Sequence, residues 1–155
     1  MVISAAAREK IAAEITKYPV ARGALLPALH VVHAEHGYVS RECAQELAAI
    51  FGIRAFEVLD VVSVGNMFYA TPQPRHQVRV CTNLPCSLKG GRELLHRLEA
   101  HLGVKGGGAT ADGRIRISHE ECLGACAYAP MMRVDSQYHE DLDVESAKRI
   151  LDALD

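Results

Sequence analysis

A chain of 155 residues with 49 % apolar residues and a net charge of −2 has material for one compact domain, or for one small domain with a helical appendage. It lacks the basic excess that nucleic acid or an anionic membrane attracts, and its apolar runs are far too short to span a membrane. The opening MVISAAAREK has no charged stretch followed by an apolar one, so no secretory leader is expected, and five cysteines point to reduced thiols in the cytoplasm.

Residues 1–69 read as a helical bundle. Ala, Arg, Glu and Lys favour helix over 5–17, with Ile11 and Ile15 one turn apart. Leu25, Leu26, Leu29 and Val32 mark a second helix with Pro27 in its first turn and Gly37 at its end. Ser40 is a natural N-cap for a third, with Glu42 in the first turn and Gly52 closing it after Phe51. Phe56, Val58, Leu59 and Val62 predict a fourth, ending near Gly65. Residues 70–75, with two prolines, read as a linker.

From residue 76 to 155 the pattern changes. Gln77-Val78-Arg79-Val80 alternates as a strand does and leads into Cys81. Gly90-Gly91 precedes a helix with Leu94, Leu95, Leu98 and Leu102 on one face. Asp112-Gly113 is a turn, and Arg114–Ile117 alternates again toward Cys122. Met132 and Val134 mark a short strand, Asp135-Ser136 a turn and Tyr138 its partner strand. Asp143 caps a last helix. Strand–helix–strand, hairpin, helix is a small α/β order, compatible with a thioredoxin-like sheet although thioredoxin's own C-x-x-C is absent. The fold class expected is therefore α+β or α/β: a helical bundle followed by a domain with a small mixed sheet.

Four cysteines carry the chemistry. Cys81 and Cys86 stand in C-x4-C, and Cys122 and Cys126 in C-x3-C. Two close pairs of thiolates suit a [2Fe–2S] cluster, in which each iron takes two protein thiolates beside two bridging sulfides. Small residues around the second pair, Gly124, Ala125 and Ala127, let backbone N–H groups approach the sulfurs, and Lys89 and Arg92 supply nearby positive charge. The helix after Cys86 would turn its positive end toward the cluster if it starts close by.

Other readings stay open on spacing. Structural zinc takes paired cysteines two to four residues apart, so both pairs fall within reach. Two disulfides conflict with the reduced compartment, and a thiol oxidoreductase would want C-x-x-C. Cys43 reads as a small buried apolar residue. His30, His33 and His36 are spaced by three, but the first and last do not share a helix face, and they read as surface or interface residues. His119, three residues before Cys122, would matter only in a Rieske-type site, which needs a second histidine. Gly106-Gly107-Gly108 lacks the Gly-Lys-Ser/Thr of a phosphate loop and reads as a flexible connector. The chain thus carries no nucleotide motif of its own.

The pattern C-x4-C…E-C-L-G-A-C-x-x-A-P, from Cys81 and Cys86 to Glu121–Pro130, closely resembles the thioredoxin-like [2Fe–2S] ferredoxin family. These are the E subunits of bacterial NADH:quinone oxidoreductase, respiratory complex I. Asp112-Gly113, Leu25-Leu26-Pro27, Gly37-Tyr38-Val39-Ser40 and Phe68-Tyr69 extend the likeness over nearly the whole chain. The family usually has a P-x-G element and more aromatics before the first strand, where this chain has Thr71-Pro72-Gln73-Pro74. The resemblance implies Cys81, Cys86, Cys122 and Cys126 as the cluster ligands. It implies no catalytic residue in the chain itself, and a partner subunit that binds FMN and NADH. It also implies a cytoplasmic place, in a peripheral arm at the inner membrane without insertion into it, as part of a larger oxidoreductase. Related subunits serve soluble NAD-linked hydrogenases and formate dehydrogenases.

Overall fold

The computed structural model describes residues 2–65 and 67–155. The chain forms two compact units, Met1–Gln73 and Pro74–Asp155.

The first unit is helical: α1 (Ala5–Ile15), a 3-10 turn (Ala21–Ala24), α2 (Leu25–His36), α3 (Arg41–Phe51) and α4 (Ala55–Val64). The ends follow the capping residues. The Ser4 hydroxyl accepts from the Ala7 N–H and the Ser40 hydroxyl from the Cys43 N–H, while Gly37 and Gly52 end their helices in the left-handed region. Ile11, Leu29, Val32, Leu47 and Val58 form the centre of its core, and Cys43 is buried among them. Phe68 is buried, and the Tyr69 carbonyl accepts from the Val39 N–H at 2.7 Å. The rings of His30 and His33 lie 4.8 and 5.8 Å from Phe68, so these histidines pack on an aromatic side chain. Burial and the neighbouring His30 hold the His33 imidazole below its ordinary pKa.

The second unit is a four-stranded sheet with helices on one face. In chain order it contains β1 (His76–Cys81), α5 (Leu84–Leu88), α6 (Gly91–Leu102), β2 (Ile115–Glu120), a 3-10 turn (Cys126–Tyr128), β3 (Met132–Val134), β4 (Gln137–His139) and α7 (Val144–Asp152). The strand order is β2-β1-β3-β4, with β1 and β2 parallel and the other pairs antiparallel. A strand–helix–strand crossover through α6 gives the parallel pair, and Asp135-Ser136 turns the hairpin β3–β4. Val78, Val80, Ile115, Ile117, Met132 and Val134 pack on Leu94, Leu98, Ala147 and Leu151 of the helices. By alternation, Arg79, Cys81, Glu120, Arg133 and Tyr138 belong to the opposite face.

The glycine run differs from the expectation of a flexible connector. The Gly108 carbonyl accepts from the Ile117 N–H at 3.1 Å and Ala109 bridges to Arg116, so the segment pairs with the outer edge of β2. Gly106 and Gly107 have positive φ, which lets the chain fold back there.

Candidate metal centre

The two cysteine-bearing loops leave one end of the sheet. Cys81 is the last residue of β1 and faces Glu120, the last of β2, in parallel register. The Thr82 N–H donates to the Glu120 carbonyl at 3.0 Å, so the strands stay paired until both loops begin. Cys122 follows two residues later. Carboxyl ends of adjacent parallel strands are where open α/β sheets hold their ligands.

The first loop contains a helix that its sequence conceals. Asn83 caps α5 by accepting from the Leu84 N–H, Pro85 fits the first turn, and Cys86 sits mid-helix. The Ser87 hydroxyl donates to the Thr82 carbonyl at 2.8 Å, and Arg92 Nε donates to the Ser87 hydroxyl at 3.1 Å. Arg92 thus braces the loop, while Lys89 lies exposed just after α5. Helix α6 starts directly against the two cysteines. A Cβ on Gly91 would stand 2.8 Å from the Cys81 carbonyl oxygen and 2.9 Å from that of Cys86. Backbone on both sides leaves room for glycine alone.

In the second loop Cys122 and Cys126 are exposed, and Leu123 between them is buried. Gly124 has φ of 80°, a conformation that other L-residues adopt at a cost. The Tyr138 hydroxyl donates to the Leu123 carbonyl at 2.9 Å. The Met131 carbonyl accepts from the Cys81 N–H at 3.1 Å and joins this segment to β1. Cys81 and Cys86, 3 % and 2 % exposed, share an apolar pocket with Leu123, Ala129 and Met131.

Burial separates the two pairs. Burial, and then a hydrogen bond with Cys81, push the Cys86 thiol up to about 11. A thiolate there requires strong positive charge beside it, which ferric iron supplies. All five cysteines are free thiols. Among the described residues, no three His, Cys, Asp or Glu side chains gather round one point. Cys81 and Cys86 lie within hydrogen-bonding reach of each other and Cys122 and Cys126 stand on one exposed loop, and a dinuclear cluster asks two thiolates of each iron. The donor set, the apolar pocket and the close approach at Gly91 fit such a group. Beside the pocket, Arg79 pairs with Glu120 at 2.6 Å, both side chains 11 % exposed. His119 is exposed and lies 3.7 Å from Glu121. Leu84, Leu88 and Tyr128 are exposed apolar or aromatic side chains on the same loops.

A one-sided mixed sheet with helices α6 and α7, and cysteine-bearing loops at the ends of its parallel strands, is a thioredoxin-like fold. Residues 11–155 match the model of the thioredoxin-like [2Fe-2S] ferredoxins, and the chain belongs to that family. It is 36 % identical over 146 residues to the NADH-quinone oxidoreductase E subunit numbered 2 of Rhizobium meliloti (strain 1021), covering 94 % of this chain and 87 % of the relative. It is 34 % identical over 139 residues to the E subunit of the Aquifex aeolicus (strain VF5) NADH-quinone oxidoreductase, covering 89 % and 87 %. Against the corresponding E subunit of Mycobacterium tuberculosis (strain ATCC 25618 / H37Rv) it is 38 % identical over 144 residues, 90 % of this chain but 56 % of that protein. Among solved structures, the air-oxidized NAD+-reducing [NiFe]-hydrogenase has a chain that matches with a TM-score of 0.72 at 23 % identity. That match covers 83 % of this chain and 22 % of the other, and it shows the fold.

Proposed function

We propose that this chain is an electron-transfer subunit holding one [2Fe–2S] cluster through Cys81, Cys86, Cys122 and Cys126. Its place is the NADH dehydrogenase module of respiratory complex I, where it exchanges single electrons with a flavin on a partner subunit. The observation that carries the reading is the departure of both cysteine-bearing loops from the carboxyl ends of adjacent parallel strands. The relatives are E subunits of NADH-quinone oxidoreductase, and their names supply the module.

When bound, the cluster supplies one-electron chemistry between its ferric pair and a mixed-valence state. The chain's own part is to hold and tune. Cys81 and Cys86, in their apolar pocket, would hold one side of the group, and Gly91 lets α6 begin against the backbone of both. The exposed Cys122 and Cys126 would supply the other two thiolates. Exposed Leu84 and Leu88 offer an apolar surface for a partner, and the chain, with no phosphate loop or dinucleotide motif of its own, needs one that binds flavin and NADH. Among the described residues, no helix is long and apolar enough to cross a membrane. The place inferred is the cytoplasmic, peripheral part of the complex.

Co-expression with a flavin- and NADH-binding subunit of an NADH-quinone oxidoreductase from the same organism tests this. The two chains should copurify, and NADH should reduce the cluster or the flavin beside it. A chain that stays single and whose cluster never equilibrates with NADH through any flavoprotein would contradict the module. Genes for membrane subunits beside this one would favour complex I, and hydrogenase or formate dehydrogenase genes the soluble equivalent.

A further inference from the structure

We propose that Tyr138 is a positioning residue for the second cysteine pair, acting through the peptide that follows Leu123. The proposal rests on the reading of Cys122 and Cys126 as ligands.

Tyr138 sits in β4 opposite Arg133, on the sheet face away from α6 and α7. Its side chain is half exposed, so core packing does not account for its orientation. What the residue does make is a hydrogen bond across the fold, from its hydroxyl to the Leu123 carbonyl at 2.9 Å. Leu123 directly follows Cys122.

Apart from the burial of Leu123, the loop's backbone has few other ties. Strand pairing ends where the Thr82 N–H meets the Glu120 carbonyl, and the 3-10 turn begins where the Tyr128 N–H meets the Ala125 carbonyl. Between those points, among the described residues, no backbone–backbone hydrogen bond holds residues 121–124. Gly124, at φ of 80°, has the widest conformational freedom in the loop. The Leu123 side chain is held in the apolar pocket, and Tyr138 fixes the carbonyl of the same residue.

The tie fixes more than position. A peptide is planar, and its N–H points opposite to its carbonyl. Holding the Leu123 carbonyl toward Tyr138 sets the Gly124 N–H on the other side of the loop, between the two cysteines in sequence. Amide groups fixed near the sulfurs raise the potential of a cluster and slow its loss. Without the hydroxyl, the 123–124 peptide is free to rotate and the exposed pair loosens.

The test uses the intact chain with its cluster and compares wild type, Tyr138→Phe and Tyr128→Phe. Tyr128 is an exposed ring on the same loop and serves as the control. Three quantities are read: the midpoint potential by EPR-monitored titration, the bleaching rate in excess iron chelator, and the melting temperature. Loss of one ordinary hydrogen bond predicts bleaching about fivefold faster in Tyr138→Phe. Its potential should move to more negative values, and its melting temperature should fall by about 5 °C, the share of one hydrogen bond; a purely structural role would lower the melting temperature without moving the potential. Tyr128→Phe should match wild type throughout. An iron-loaded Tyr138→Phe with wild-type potential and bleaching rate overturns the proposal alone, as does an equal effect in Tyr128→Phe. A wild-type chain that binds no iron–sulfur group overturns the ligand reading, and this proposal with it.

Discussion

Replacing Gly91 by alanine tests how closely helix α6 is built against the cysteine loop. The added Cβ would stand 2.8, 2.9 and 3.0 Å from the Cys81 oxygen, the Cys86 oxygen and the Cys86 carbonyl carbon, against 3.4–4 Å for ordinary contact. These are backbone atoms on two sides, so relief needs a shift of about half an ångström in the loop or in α6. Overpacking of this kind costs about 1–3 kcal/mol. Alanine's better helix propensity returns up to about 1 kcal/mol. The net is a loss of about 1–2 kcal/mol, or about 5–10 °C in the melting temperature of a small domain. Circular dichroism on the intact chain reads the melting, and iron content reads the site. Gly90→Ala is the comparison: φ there is 88° and nothing lies within 4 Å, so it costs about 1 kcal/mol of backbone strain but leaves the loop in place. A Gly91→Ala protein as stable as wild type, with full iron, would refute the close approach.

Three more outcomes are expected. Cys122→Ala should remove the iron–sulfur chromophore while the fold persists, because Cys122 is exposed and packs on nothing in the core; full cluster content in that variant would mean the ligand set is wrong. Arg79→Met should cost about 2 kcal/mol by removing the charge-assisted hydrogen bond from its guanidinium to the Glu120 carboxylate, and chemical denaturation measures it. His76 gives a pH dependence: its hydrogen bond to the Asp135 carboxylate, at 2.8 Å, raises its pKa in the fold above the ordinary 6.5. Its contribution is therefore complete below pH 6.5 and is lost as pH rises through the folded pKa. The stability difference between wild type and His76→Gln should shrink as pH rises, and a difference that grows with pH would contradict the pairing.

Much of the architecture is legible because local chemistry and tertiary need agree. Ser40, Gly37, Gly52 and Asp143 mark helix ends by capping, and the buried faces of β1 and β2 follow from simple alternation. The two cysteine pairs are equally plain as spacing. What sequence reasoning misses is what depends on distant backbone. Helix α5 is hidden because L-P-C-S-L is too short for periodicity, though Asn83 and Pro85 signal its start. Gly91 looks like half of a loop dipeptide, yet its smallness answers to carbonyls five and ten residues earlier. The glycine run reads as slack because pairing with the edge of β2 uses backbone groups that no side chain advertises. Tyr138 reads as a strand residue, and its hydroxyl partner lies fifteen positions away.

The most direct measurement is EPR of the intact chain, purified anaerobically and then reduced, with iron, sulfide and zinc analysed on the same sample. The protein should be red-brown, with two irons and two sulfides per chain and an EPR signal of one unpaired electron that appears on reduction. A colourless protein with stoichiometric zinc and no signal would contradict the iron–sulfur reading.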